Sequence, residues 1–246
     1  MAASARFRSV AEVLHERVIH HRRAVARPEP DHPVANPTAA DIVRAVPMIP
    51  VLTLEPGGDA IAICRALAEG GLTVLEVTLR TRGALEVVAQ LRRALPEVVV
   101  GVGTVLSAPQ VSEAVGAGAQ FLVTPGTTTR LLPALASAGV PVLPGCSTIS
   151  EMMELSEAGF TLLKFFPAEP AGGTPFLKAV SGPLPALRFC PTGGIDLHKA
   201  REYLALPNVV CVGGSWVVPP TAVRERDWSS ITLLAKAAAL LKRQQS

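Results

Sequence analysis

The sequence predicts an α/β protein, a (β/α)8 TIM barrel preceded by an N-terminal helical extension. Three observations lead there. From residue 46 onward, short β-branched runs alternate with Ala- and Leu-rich helical stretches. The starts of these runs are spaced by about 20–27 residues, the repeat of a strand–helix unit. Eight such units fit within 246 residues, close to the size at which a barrel of this kind closes. The alternative is a doubly wound open sheet, which needs a switch point and usually a GxGxxG turn. Gly101-Val-Gly103-Thr104 lacks the third glycine, so that signal is weak.

Taken in order, residues 1–37 form a distinct extension and 38–246 the barrel. The extension reads as an amphipathic helix over about 8–24 and a linker over the Pro-rich stretch Arg27-Pro-Glu-Pro-Asp-His-Pro33. An organelle transit peptide is an alternative reading, opposed by Glu12 and Glu16. Strands are expected at Val46–Thr53, Thr73–Leu79, Val98–Val105, Gln120–Pro125, Pro141–Cys146, Thr161–Pro167, Leu187–Thr192 and Val209–Ser215. A last helix runs from about Asp227 to Leu241.

Composition narrows the function. A net charge of +3 without any polybasic block argues against nucleic acid. No run approaches about 18 apolar residues, so no membrane span is expected. Cys64, Cys146, Cys190 and Cys211 each sit in apolar segments without a CxxC pair and read as buried, reduced thiols of a cytoplasmic protein. Four of the five histidines fall in the first 32 residues, leaving only His198 in the barrel. A multi-histidine zinc site or a Ser-His-Asp triad is therefore disfavoured, and no metal or cofactor is expected. Acid–base chemistry must come from carboxylate, lysine or bound water.

Lys164 is the residue that says most about function. It is one of five lysines and stands inside Thr161-Leu-Leu-Lys-Phe-Phe-Pro167, a run that otherwise reads as a buried strand. A lone ammonium among leucines and phenylalanines costs several kcal/mol unless something uses it. Burial disfavours the charged form of an amine and makes it a nucleophile of the kind that forms Schiff bases. A lysine snorkelling from a strand end is the competing reading. Strand alternation at Leu75–Arg80 sends Val74, Glu76, Thr78 and Arg80 to one face. If that face is the barrel interior, Glu76 and Lys164 project into one space, with Arg80 at the C-terminal mouth. A purely structural ion pair is the alternative. It is disfavoured because buried pairs stabilise weakly. Glycine pairs close strands 7 and 8, in Cys190-Pro-Thr-Gly-Gly-Ile195 and Val212-Gly-Gly-Ser-Trp216. Either alone could be a tight turn. Together, at those two strands, they point to a phosphate site built from backbone N–H groups.

Leu75-Glu-Val-Thr-Leu-Arg80, Gly101-Val-Gly-Thr-Val105, Thr124-Pro-Gly126, Pro144-Gly-Cys-Ser-Thr148, Lys164-Phe-Phe-Pro-Ala-Glu169, Phe189-Cys-Pro-Thr-Gly-Gly194 and Gly213-Gly-Ser-Trp216 resemble, in order over about residues 40–242, the motifs of the KDPG/KHG aldolases. These enzymes act on 2-keto-3-deoxy-6-phosphogluconate and 4-hydroxy-2-oxoglutarate. The resemblance implies a metal-free class I aldolase, a carbon–carbon lyase of the Entner-Doudoroff pathway, usually a cytoplasmic homotrimer. It implies Lys164 as the Schiff-base lysine and Glu76 as the proton-transfer carboxylate. Arg80 and Thr104 would hold the keto-acid carboxylate, and Pro125 and Phe166 would line the pocket. Gly193, Gly194 and Ser215 would bind phosphate, with Thr192 beside them. The implied partners are a phosphorylated keto acid and pyruvate. The related substrates are 4-hydroxy-2-oxoglutarate and the galactonate-derived epimer, and a phosphate-sugar binding barrel without catalysis is the non-enzyme alternative. Leu163 and Pro170, where charged or polar neighbours are common in the family, are the departures around the lysine.

Overall fold

The computed structural model describes residues 38–241. The extension and its expected helix over 8–24 lie outside the described residues. The chain begins with a helix at Ala39–Ala45 and then alternates strands and helices. The strands are β1 Met48–Leu52, β2 Val74–Thr78, β3 Val99–Gly103, β4 Leu122–Val123, β5 Val142–Leu143, β6 Gly145–Cys146, β7 Leu162–Phe165, β8 Arg188–Pro191 and β9 Val212–Gly214. Each expected strand contains one of these, shortened at its ends. The fifth contains two, because Pro144 interrupts it. Proline has no N–H to give to a ladder. Its carbonyl still accepts the Lys164 N–H at 2.9 Å.

All the ladders are parallel. One sheet runs β5-β4-β3-β2-β1-β9 and the other β6-β7-β8. Single bridges join Phe189 to Val209 and Thr192 to Gly213, bringing β8 against the β9 segment. The result is an α/β fold with parallel strands covered by helices. Val74 to Thr78 are all buried, as expected of a strand covered on both faces.

The helices start where their sequences say they should. Thr148 accepts the Glu151 N–H, while the Glu151 carboxylate accepts the Thr148 N–H, a reciprocal capping box for the helix Ile149–Glu157. Asp196 and Asp227 cap the helices Leu197–Leu204 and Trp228–Ala239. The latter packs against the helix Gly58–Glu69, and Gly70 permits the close approach, since a Cβ there would lie 2.9 Å from the Thr232 carbonyl oxygen. All four cysteines are buried. Burial pushes the Cys64 thiol up to about 12. Burial does the same to Cys146, to about 12, with the Glu151 charge adding to it. Among the described residues, no helix is long and apolar enough to cross a membrane.

Candidate active site

Strand β2 carries Glu76 and strand β7 carries Lys164, 88 residues apart in sequence. The outward neighbour Phe165 stacks on Phe176 of the helix Gly173–Val180, with ring centroids 5.2 Å apart, which anchors that face of β7. Alternation then sends Lys164 the other way. Its Nζ lies 3.1 Å from Glu76 Oε1 and 3.5 Å from Oε2. Both residues are only 3% exposed, so Lys164 does not snorkel to water. The Phe166 ring covers the amine from 5.5 Å. Room for the carboxylate comes from Gly103 on the neighbouring strand, where any Cβ would overlap Glu76 and sit 2.6 Å from its Cδ.

A cavity of about 750 Å³ opens at the strand ends. It brings together Arg80, Phe166, Thr192, Gly193, Gly194 and Ser215, six of the expected site residues. Glu76 and Lys164 are not part of its surface. They lie buried, and Phe166 connects them to it, lining the cavity and covering the amine. Thr104 and Pro125 do not line the cavity either. Thr104 follows β3 with a left-handed backbone, φ 59, which costs a β-branched residue about 1–3 kcal/mol and persists where surroundings enforce it. Pro125 follows β4 and packs against Gly145, which has no side chain to displace it.

The cavity also contains groups that sequence reasoning passed over. The segment Thr53–Gly57 after β1 forms one wall. Thr53 Oγ1 meets Thr78 Oγ1 at 3.2 Å, and the Thr78 hydroxyl donates to the Leu52 carbonyl at 2.9 Å, tying that wall to β2. Arg226, with φ 53, lines the cavity and pairs with Asp59 at 3.2 Å. Behind the Gly193–Gly194 turn, Glu169 binds the Lys199 ammonium at 2.5 Å and the Tyr203 hydroxyl at 2.6 Å. The Lys199 and Tyr203 bonds hold the Glu169 carboxyl below the usual carboxylate range. The Lys199 amine is raised by the same bond. Burial first, and then the bond to Glu169, raises the Tyr203 hydroxyl. Of these, Thr78, inside the Leu75–Arg80 motif, and Glu169, the last residue of the motif that begins at Lys164, had a sequence signal. No three His, Cys, Asp or Glu side chains cluster as metal ligands among the described residues.

A parallel α/β fold with a buried amine–carboxylate pair beneath an open, glycine-lined cavity defines a class: lysine-based sites suited to carbonyl chemistry. The chain belongs to the KDPG and KHG aldolase family, whose model matches residues 39–234. It is 46% identical over 201 residues to the 2-dehydro-3-deoxy-phosphogluconate aldolase of Pseudoalteromonas atlantica, covering 82% of this chain and 94% of that relative. It is 44% identical, with the same coverage, to the KHG/KDPG aldolase of Escherichia coli K12. Among solved structures, it resembles the KDPG aldolase of Legionella pneumophila, in which pyruvate was captured as a covalent carbinolamine. That likeness has a TM-score of 0.79 and 45% identity, and covers 81% of this chain and 97% of that one.

Proposed function

We propose that this protein is a class I aldolase cleaving 2-keto-3-deoxy-6-phosphogluconate to pyruvate and glyceraldehyde 3-phosphate. The buried Lys164–Glu76 pair at 3.1 Å carries the reading. Desolvating both charges is expensive, and such a pair stabilises a fold poorly, so a use in chemistry explains its presence better than stability does. The names of the relatives and the Legionella carbinolamine support the same chemistry.

In the proposed cycle, Glu76 accepts the proton shared with Lys164, and the free amine attacks the C2 ketone. The carbinolamine loses water to an iminium, an electron sink. Glu76 gives up its proton to the departing water and is a carboxylate again. It then takes the C4 hydroxyl proton, the C3–C4 bond breaks, and its electrons pass into an enamine. Glyceraldehyde 3-phosphate leaves. The proton returns to C3, and water hydrolyses the iminium to pyruvate and the amine. Arg80, at the mouth, and Thr104 hold the keto-acid carboxylate. Phe166 and Pro125 pack the reacting carbons. Thr192, Gly193, Gly194 and Ser215 hold the phosphate. No metal or cofactor enters this cycle.

The run of ladders from β1 to β5 and from β6 to β8, the bridges from β8 to the β9 segment, and the β9–β1 ladder support a closed (β/α)8 barrel with β5 and β6 as one strand broken at Pro144. The family match beginning at residue 39 supports residues 1–37 as an extension to the barrel. The family resemblance supports a cytoplasmic homotrimer, which light scattering would test. The name of the Escherichia coli relative favours 4-hydroxy-2-oxoglutarate as a second substrate.

The deciding experiment is borohydride trapping with pyruvate, followed by peptide mass spectrometry. A reduced pyruvyl adduct on Lys164, absent in Lys164→Arg, is expected, because a guanidinium stays protonated and cannot attack. Folded protein that gives no adduct would remove the Schiff-base mechanism.

A further inference from the structure

The Gly193–Gly194 turn is held from behind by the segment that follows β7. The Ala168 N–H donates to the Thr192 carbonyl at 2.8 Å, and the Glu169 N–H donates to the Gly193 carbonyl at 3.1 Å. Lys199 Nζ reaches the Gly194 carbonyl at 3.4 Å. In a planar trans peptide the carbonyl and the next N–H point in opposite directions. Holding the Thr192 and Gly193 carbonyls from behind therefore turns the Gly193 and Gly194 N–H groups toward the other side. Both glycines line the cavity there, and neither N–H donates to any group among the described residues. Their φ angles of 108 and 78 place both in the region glycine tolerates best.

Glu169 holds this arrangement. Its backbone takes the Gly193 carbonyl, and its stem lies where a Cβ on Gly194 would come within 2.8 Å of Cγ. Its carboxylate is fixed by the Tyr203 hydroxyl, on a residue only 1% exposed, and by Lys199, which also reaches the turn. None of the three side chains makes a hydrogen bond to Lys164 or Glu76. We propose that Glu169, clamped by Tyr203 and Lys199, is a positioning residue that sets two backbone N–H groups for the substrate phosphate and so makes the enzyme discriminate for phosphorylated keto acids. The inference rests on the phosphate reading given under Proposed function and adds what enforces it.

The test compares wild type, Glu169→Ala, Glu169→Gln and Tyr203→Phe. Tyr203→Phe keeps the buried ring and guards against a variant that simply fails to fold. Two readouts are taken: KM and kcat for 2-keto-3-deoxy-6-phosphogluconate against its dephosphorylated form, and the pyruvate concentration that half-saturates borohydride trapping. Pyruvate carries no phosphate and reports on the Lys164 end of the site, not on the Gly193–Gly194 turn. Glu169→Ala should raise KM for the phosphorylated substrate about tenfold, the scale of one lost anion contact. Glu169→Gln, which can still accept from Tyr203, should fall between. The pyruvate half-saturation should stay within about twofold of wild type, well short of that tenfold scale. An unchanged KM, or a pyruvate half-saturation that moves in step with KM, overturns the inference. A wild type that cleaves both substrates equally well sinks the phosphate reading, and the inference with it.

Discussion

Removing one partner of the Lys164–Glu76 pair should cost far more stability than removing both. Lys164 is the only hydrogen-bond partner of the Glu76 carboxylate among the described residues, at 3.1 and 3.5 Å. Both side chains are 4% exposed. Lys164→Met replaces the amine with an unbranched side chain of similar length, so little cavity forms. It leaves a carboxylate buried without a partner, which costs about 3–5 kcal/mol. For a domain of this size that is about 6–20 °C in thermal midpoint. The double variant Lys164→Met/Glu76→Leu removes both charges and should recover most of the loss, or exceed wild type by about 1–4 kcal/mol. Urea and thermal unfolding of the wild type, both single variants and the double variant form a cycle that isolates the pair. If the double variant is as unstable as Lys164→Met, the pair is there for the fold. Burial of the pair then gives no reason to assign it to catalysis.

Other outcomes are expected nearby. Glu76→Gln should slow cleavage by about 10²–10⁴-fold while the protein stays folded; turnover near wild type would place the base elsewhere. Gly103→Ala puts a methyl group into the Glu76 carboxylate. Stability should fall by about 1–3 kcal/mol and cleavage with it, checked by thermal midpoint and steady-state rate; a variant with full activity would show that Glu76 tolerates displacement. Glu151→Ala should cost about 1 kcal/mol at pH 7 by breaking the capping box. Burial raises the Glu151 carboxyl, but the Ser147 and Thr148 N–H bonds outweigh it, so its pKa is lowered overall. Its contribution is complete above the unfolded value of about 4.3 and fades as pH falls through the folded value. The midpoint gap between wild type and Glu151→Ala should therefore shrink from pH 7 to pH 3, and a constant gap would contradict this account.

The strands were legible because β-branched runs bounded by glycine and proline have few other uses in a protein of this composition. Lys164 and Glu76 were legible for a sharper reason: each is a charge in a strand whose neighbours are apolar, and strand alternation gives its direction. What alternation does not give is depth. Arg80 lines the cavity and Lys164 lies beneath it, although both sit near strand ends. The clamp behind the Gly193–Gly194 turn was not legible. Glu169 meets partners 30 and 34 residues away, on a helix whose polar residues read as an ordinary exposed face. The Arg226–Asp59 pair escaped for the same reason, since nothing in either local sequence forecasts that a helix end and a helix start meet at the cavity.

The four cysteines have a practical consequence for the bench. All are enclosed by packed side chains, and burial holds two of them at about 12, so those two sulfurs stay protonated at neutral pH. Maleimide and iodoacetamide dyes should find almost nothing to attack in the native protein. A single cysteine placed at exposed Leu240, beside the end of the last helix, would give a uniquely labelled enzyme without first deleting the natural sulfurs. A fluorophore there would report tumbling against an optically silent background.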